Sequence, residues 1–540
     1  MKFDKKYFLP ILISGIFYGL AFPPLNLYFL IYLSFVLLLD IVSGCVKVRQ
    51  VIYRIYSVFL YAGFVGVSWI ALSGMRDNAD PFLIIGGTMI LFIYPLFFIP
   101  PAVLFYYIRK NTSSGKLKYL SLIIFPFLWT GFEYLQTQGQ VNFPWLFAGN
   151  SQTYNLSKIQ YADYTGMFGV SFWVCTVSVL LYFLFINLKS KQWKPVSGKS
   201  ILTVTVIVII YFLPDFYNTI SKRPYPAEGK IKVGIVQPNI NPWDKWSGKQ
   251  NDLIGGYLDQ IRQISSEHPD VKLILLPETA LPYYFRERYF SDRYTLIKNL
   301  CDSLELPFLI GTPDLEYYKD QSEAPDDAKF MKSSGLKYDT YNSAVLFEPD
   351  KDKDEFQKHQ KIKLVVGSER MPYQELFPFS KQLVQWGVGI SSWQIGRDTN
   401  NFILRDGEKF NTAICYESVY PGFFAKFVDN GAQFSVIITN DGWWGKFFGT
   451  YQHNMFAVFR AIENRRWIAR CANTGISDFI DPEGNMYEKT DIDVKTNIVF
   501  DVGIRNEKTF YTMHGDLFAK VCLVAGLLFF GVSFLVRRKN

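Results

Sequence analysis

Three side chains in this sequence have the chemistry for acyl transfer. Cys415 stands in Phe410-Asn-Thr-Ala-Ile-Cys-Tyr-Glu417, at the end of a β-type apolar run. Glu278 stands in Leu275-Leu-Pro-Glu-Thr-Ala-Leu-Pro282, after a similar run, and Lys361 opens Lys361-Ile-Lys-Leu-Val-Val-Gly-Ser-Glu369. A thiol can attack a carbonyl, a carboxylate can take the thiol proton, and an ammonium can hold the developing oxyanion. A carboxylate by itself would push a thiol above its ordinary pKa of ~8.5. A nearby ammonium offsets that repulsion, so the three types make physical sense together.

Taken singly, each has a plainer reading. A lone cysteine after a strand is a core residue, a glutamate beside Pro277 is a loop or cap residue, and a lysine in a basic loop is solvated. Glu369 and Glu417 read as salt-bridge partners. Asn440-Asp441, after the run Val436–Ile438, is a further polar pair at a strand end. Such ends are where a rigid element presents a side chain to a cleft.

The elements that position these residues fall in two unlike parts. Of 540 residues, 49% are hydrophobic and 18% aromatic, but the apolar residues concentrate in the first 215 or so. A bilayer crossing needs about 20 apolar residues. Candidate spans lie near 7–24, 27–44, 54–73, 82–108, 118–135, 167–187 and 201–216, with an eighth near 517–536. The first has a basic start but no small-x-small cleavage site after it, and reads as a retained span. Lysines and arginines gather at the N-terminus (Lys2, Lys5, Lys6), at Lys47–Arg54, at Arg109–Lys118, at Lys189–Lys199 and in the tail at Arg537. By the positive-inside rule these loops and both termini are cytoplasmic, which puts residues 217–515 on the outer face. The net charge of +8 is explained by these loops, so nucleic acid is not an expected partner.

The division read from the sequence is a membrane helix bundle over 1–220, a catalytic domain over 221–510, and a last span with its basic tail over 511–540. Within the catalytic part, Ile231–Gln237, Val271–Leu276, Pro307–Gly311, Ser343–Glu348, Ser435–Thr439 and Ile468–Ala472 read as strands. Phe402–Leu404 and Asn411–Cys415 read as a hairpin. Thr450 to Arg466 reads as an amphipathic helix, and Lys351–Lys358 as a solvated loop. Six scattered cysteines form no CxxC pair, and the four histidines are dispersed. Neither a disulfide framework nor a zinc site is expected. No cofactor motif occurs.

The arrangement resembles the nitrilase, or carbon–nitrogen hydrolase, superfamily, which uses a Glu-Lys-Cys triad. The resemblance rests on Pro277-Glu-Thr-Ala-Leu-Pro282, Lys361 with Glu369, Ala413-Ile-Cys-Tyr-Glu417 and Thr439-Asn-Asp-Gly-Trp-Trp-Gly445. Arg460-Ala-Ile-Glu463 and Asn473-Thr-Gly475 extend it. With seven spans before the domain and one after, the chain is similar to the membrane branch of that superfamily, the apolipoprotein N-acyltransferases. Val236-Gln-Pro-Asn-Ile240 with Trp243 and Trp246, Phe22-Pro-Pro-Leu25 and Gly139–Trp145 also resemble that branch. One segment departs from it. The family's Leu-Val-Pro-Phe-Gly-Glu reads here Leu364-Val-Val-Gly-Ser-Glu369, which keeps the glutamate and replaces the turn before it.

The resemblance implies an αββα sandwich on about eight membrane helices, in the inner membrane of a bacterium with the catalytic domain on the periplasmic face. It implies Glu278 as base, Lys361 as oxyanion stabiliser and Cys415 as nucleophile. Glu369 and Glu417 would orient them, Tyr416 would shape the pocket, and Asn440 would support substrate. The donor would be a phospholipid, the acceptor a diacylated apolipoprotein, and the working unit a monomer without metal or cofactor. Trp243, Trp246, Trp443, Trp444, Phe447 and Phe448 are candidates for acyl contacts or membrane-facing loops, and equally for core aromatics. A membrane-anchored amidase acting on a small C–N substrate is the alternative, with a non-catalytic scaffold third.

Overall fold

The computed structural model describes residues 5–77, 79, 82–112, 119–190, 198–220, 225–245, 250–287, 291–325, 328–332, 334–373 and 393–539. Trp246 lies outside them, as do the loop cations Lys2, Lys116, Lys118, Lys191 and Lys194.

The N-terminal part is helical because its runs are apolar all round. Among the described residues, five helical stretches are long and apolar enough to cross a membrane: Val48–Ser73, Leu83–Asn111, Ala162–Lys189, Ser200–Ile220 and Leu517–Leu535. Lys6–Leu20, Leu30–Ser43 and Leu120–Leu135 are apolar but shorter. The run expected over 82–108 is continuous through Leu83–Asn111 but tightens to a 3-10 helix at Tyr94–Phe98. Pro95, Pro100 and Pro101 lack the amide hydrogen that a regular α-helix needs there. Side chains such as Ile201, Leu202, Ile209, Phe212 and Phe216 stay exposed along Gly198–Ile220, an apolar surface suited to lipid.

The following domain stacks two sheets. The first runs β13-β1-β2-β3-β5-β4, with β6 also paired to β5. Its strands are β1 (Gly229–Gln237), β2 (Leu273–Leu275), β3 (Phe308–Tyr317), β4 (Lys329–Met331), β5 (Leu336–Phe347), β6 (Gln357–Gln360) and β13 (Thr496–Ile504). The second runs β12-β11-β10-β9-β8-β7. It comprises β7 (Phe402–Ile403), β8 (Lys409–Ile414), β9 (Phe434–Thr439), β10 (Ile468–Ala472), β11 (Asp478–Ile480) and β12 (Met486–Tyr487). Ile231, Val233, Leu273 and Leu309 from one sheet meet Phe410, Val436, Ile438 and Ala469 from the other in a buried core. Helices Gln250–Glu267 and Ser291–Leu304 cover the outer face of the first sheet. Helices Pro421–Asp429 and Phe448–Asn464 cover the second. The order is helix, sheet, sheet, helix.

The expected strands and the hairpin are present. Lys351–Lys358 is not all loop, since Gln357 opens β6 and Phe356 is buried. β4, β6, β11, β12 and β13 were not read from the sequence. All but β13 are four residues or fewer, too short for an alternating pattern to register.

The helix layer on the second sheet also faces the membrane part. Phe423, Phe427, Met455, Phe459 and Ile462 join one apolar cluster with the N-terminal helices. Buried polar ties fix this contact. Glu463 accepts the Met167 amide at 2.8 Å, beside a break at Gly166, whose φ of 66° suits glycine. Arg465 binds Asp163 at 2.9 Å and the Gln160 carbonyl at 2.6 Å. Gln452 accepts the indole N–H groups of Trp145 at 2.6 Å and Trp69 at 3.2 Å.

Candidate active site

Cys415 follows the last residue of β8 and opens the tight turn Cys415–Val419. Its φ is 51°, a left-handed conformation that costs a non-glycine residue about 1–3 kcal/mol. The surroundings hold it there. The Cys415 carbonyl accepts the Ser418 hydroxyl at 2.8 Å and lies 3.1 Å from His453 Nε2. Burial, and next the charge of Glu278, push the Cys415 thiol well above its ordinary pKa, while Lys361 opposes them. The resting group is therefore a thiol, which could act as a nucleophile only with a base to take its proton.

Glu278 lies just beyond β2, in a second strained turn where Thr279 has φ 48°. Its Oε1 accepts from Lys361 Nζ at 3.1 Å and Asn342 Nδ2 at 2.8 Å, and its Oε2 from the Asn440 amide at 3.1 Å. Lys361 follows β6 and stays tied to β5, donating its backbone N–H to the Asn342 carbonyl at 2.8 Å. Its ammonium, 1% exposed, also binds Glu369 Oε1 at 2.9 Å. Burial would strip its proton, but Glu278 and Glu369 outweigh burial and hold the Lys361 pKa well above its ordinary value. The group is a cation.

Glu369 is locked by Asn342 Nδ2 at 3.0 Å and by the Val365 amide at 2.8 Å. The segment that departs from the family pattern builds its own turn. Gly367, at φ 84°, donates to the Arg370 carbonyl at 2.9 Å, and the Glu369 amide returns to Val365 at 3.0 Å. Gly367 supplies the positive φ that a replacement turn requires.

Glu417 is a buried brace. It accepts the Ile362 amide at 2.7 Å, the Lys363 amide at 3.3 Å, the Ile414 amide at 2.8 Å and His359 Nε2 at 3.0 Å. One carboxylate thus joins the residue after Lys361 to the residue before Cys415. Burial would raise its pKa, but His359 and the backbone amides bring it below the ordinary carboxylate value.

Tyr416 turns toward the membrane part. Its hydroxyl donates to the Asn142 carbonyl at 3.4 Å and its ring stacks near Trp145, centroids 6.4 Å apart. Tyr420, 5.3 Å away, donates to the Asn142 side chain. Trp444 meets Trp69 and Trp145 edge-on, and Phe447 and Phe448 pack on the same cluster. Trp243 stands apart from this group, edge-on to Trp443 at 4.7 Å. The Asn440 side chain accepts from Asn473 Nδ2 at 2.9 Å.

Four features escaped the sequence reading. Asn342 binds both carboxylates and the Lys361 backbone. Its only signal was a buried amide within the apolar strand Tyr341–Phe347. Lys245 lies fully buried with its Nζ 3.4 Å from the Glu278 carbonyl. Burial pushes its pKa from 10.5 to about 7, against Glu278, which raises it. His359 was hidden in a charged run. The fourth is the pairing of His453 and Arg470 with Asp441, whose place at a strand end was read but whose partners were not. Ligand atoms of Cys415, Asp441 and His453 lie within 4.8 Å of one another, a set that could hold a metal by donor type. Asp441 is already committed, with His453 Nδ1 at 2.8 Å and Arg470 Nη2 at 2.7 Å. A fixed guanidinium on the carboxylate opposes a second cation, so the set reads as a support for the Cys415 turn.

Residues 14–180 match the sequence profile of the apolipoprotein N-acyltransferase N-terminal domain, and residues 232–502 that of carbon–nitrogen hydrolase. Among relatives, the apolipoprotein N-acyltransferase of Chlorobaculum tepidum is 35% identical over 97% of this chain and 96% of its own length. That of Geobacter metallireducens is 30% identical over 99% and 96%. Apolipoprotein N-acyltransferase 1 of Treponema denticola is 30% identical over 81% of each. With both profiles in order along the chain and the likeness sustained from end to end, this chain belongs to the apolipoprotein N-acyltransferase family.

Proposed function

We propose that this protein moves a fatty acyl chain from a phospholipid to the N-terminal amine of diacylglyceryl-cysteine lipoproteins, through a thioester on Cys415. The observation that carries the reading is the contact between the Cys415 turn and the membrane part, through Tyr416, Asn142 and Trp145. A thiol built against membrane-embedded loops suits a substrate delivered from the bilayer.

In the first half-reaction the thiol proton passes to Glu278 as Sγ bonds to the ester carbonyl carbon. Lys361 stabilises the oxyanion. As the intermediate collapses, the C–O bond breaks and the departing lysophospholipid oxygen takes the proton from Glu278. In the second, the α-amine bonds to the thioester carbon, gives a proton to Glu278, and the sulfur leaves and is reprotonated. Glu369 and Asn342 hold Lys361 and Glu278 in register. Glu417 holds the two loops together, and Asn440 fixes Glu278 through its amide. The aromatic residues around Trp145 and Trp444 exclude water, which would otherwise hydrolyse the thioester.

The division proposed is a helix bundle over 1–220, the catalytic domain over 221–510 and a last span over 511–540, in the inner membrane with the domain outside. Helix geometry supports this orientation. The helix from Met167 to Lys189 starts against the domain and is about 34 Å long, enough to cross the hydrocarbon core. Its end pairs with Asp40 at 2.7 Å, and the positive-inside rule assigns a cation such as Lys189 to the cytoplasmic side. The membrane helices cover Phe423 and Phe459 on the outer helix layer, which supports a monomer.

Intact-mass measurement of the full chain after incubation with a defined phospholipid tests the reading. One acyl adduct is expected, absent in Cys415→Ala and discharged by a diacylated lipopeptide to a triacylated one. No adduct and no lipopeptide conversion in folded protein would sink it and favour amidase chemistry.

A further inference from the structure

Among the described residues the Lys363 ammonium has no ion-pair partner, although its backbone lies against the Glu417 carboxylate. Its backbone N–H is fixed on Glu417 Oε1 at 3.3 Å, the oxygen that also holds Ile362. Its side chain turns to the membrane side of the site. The ammonium lies 5.0 Å from the centre of the Tyr420 ring and 6.0 Å from that of Phe423. Both rings belong to the apolar cluster shared with the membrane helices. Among the described residues no carboxylate pairs with it. Lys426, whose charge acts on Lys363, is exposed on the helix Pro421–Asp429. Burial first, and then Lys426, push the Lys363 pKa below its ordinary value, while Glu417 opposes them.

A half-buried ammonium beside a second ammonium is an unfavourable arrangement for the empty protein. The two rings recover part of that cost, since a cation over an aromatic face gains only modestly. An arriving anion would recover more, through charge-assisted hydrogen bonds at the edge of an apolar region.

We propose that Lys363, with Lys426 behind it, is the subsite for the phosphodiester of the acyl-donor glycerophospholipid. The inference rests on the reading of Cys415 as an acyl carrier. In such a donor the reactive ester and the phosphate share one glycerol. When the ester carbonyl meets Cys415 and Lys361, the phosphate stands one glycerol away, at the boundary between apolar and polar surroundings. Lys363 is two residues beyond Lys361 and tied through Glu417 to the Cys415 turn. The acceptor lipid carries no phosphate, so the subsite acts in one half-reaction only and lets one thiol meet two lipids in order.

Acyl-enzyme formation by the full chain is measured at several concentrations of a phosphatidylglycerol and of a phosphatidylethanolamine with the same acyl chains. Lys363→Gln is expected to raise the apparent KM about tenfold for both donors, because only the phosphate is common to them. The maximal rate stays within about twofold, and discharge of preformed acyl-enzyme by a diacylated lipopeptide is unchanged. Lys363→Arg restores the KM. Lys426→Gln, on an exposed helix position, raises it less. An unchanged KM in Lys363→Gln overturns the subsite, as does a loss confined to one head group or an equal slowing of the discharge step. Wild-type protein that takes no acyl chain from either donor would overturn the carrier reading and the subsite with it.

Discussion

The Asn342 amide nitrogen stands 2.8 Å from Glu278 Oε1 and also 3.0 Å from Glu369 Oε1. One side chain thus holds both carboxylates that flank the Lys361 ammonium, while its backbone carbonyl holds the Lys361 amide. Hydrogen bonds to charged groups contribute about 1.5–3 kcal/mol each. Asn342→Ala is expected to slow acyl-enzyme formation about 10–100-fold, with a smaller change in phospholipid KM. Single-turnover mass measurements read this. A rate within twofold of wild type would remove Asn342 from the machinery.

Gly311, on β3, lies directly behind the proposed base. A Cβ there would stand 2.5 Å from the Pro277 carbonyl and 2.6 Å from Glu278 Cα, and neither backbone atom can yield cheaply. Gly311→Ala should push Glu278 out of register. Misplacement by about 1 Å can cost about 100-fold in rate. Acyl-enzyme formation should fall by that order while the protein still folds and extracts normally. Near-normal activity would show that the turn at Thr279 absorbs the clash.

Glu417 predicts a pH dependence. Its folded-state pKa lies below its ordinary value, so its stabilising effect is present above the unfolded-state pKa of about 4.3. That effect is lost as pH falls through the lower folded-state value. Glu417→Gln should lower the melting temperature near pH 7, and the gap to wild type should narrow on acidification below about pH 4. Melting curves of both proteins across pH test this. A gap independent of pH would contradict it.

Lys245 predicts the opposite limb. Its pKa falls from 10.5 to about 7 on burial, so between those values the unfolded chain binds the extra proton and stability rises with pH. Lys245→Met removes that contribution. The stability of wild type relative to the variant should rise between pH 7 and pH 10, read from paired melts in one detergent. Parallel curves would mean that Lys245 keeps its proton through a partner beside Glu278.

Much of this protein is legible in its sequence because the signals are local. Long apolar runs mark the membrane part, and β-branched runs ending at Glu278, Cys415 and Asn440 mark strands that present polar residues. The spacing from Lys361 to Glu369 survives a rebuilt turn, because Gly367 supplies the needed φ within the segment itself. The strands that went unread, such as β11 and β12, are too short to show a period. The eight apolar runs are visible in the sequence. The helices they form differ in length, because proline placement and helix packing set where each begins and ends.

The sequence by itself determined which groups could react: one thiol, carboxylates and lysines at strand ends, in a chain half built for lipid. It also determined the family, through motifs that keep fixed local spacing. Only the tertiary structure decided what joins them. Asn342 reaches Glu278 across 64 residues, Glu417 reaches Ile362 across 55, and Tyr416 reaches Asn142 across 274. Hydrogen bonds of that span leave no periodicity or spacing in the chain, because they depend on strand order and on how the helix layer seats against the membrane part. The same holds for Lys245 and Lys363. Their charge is plain in the sequence, but its environment follows from what surrounds each residue after folding.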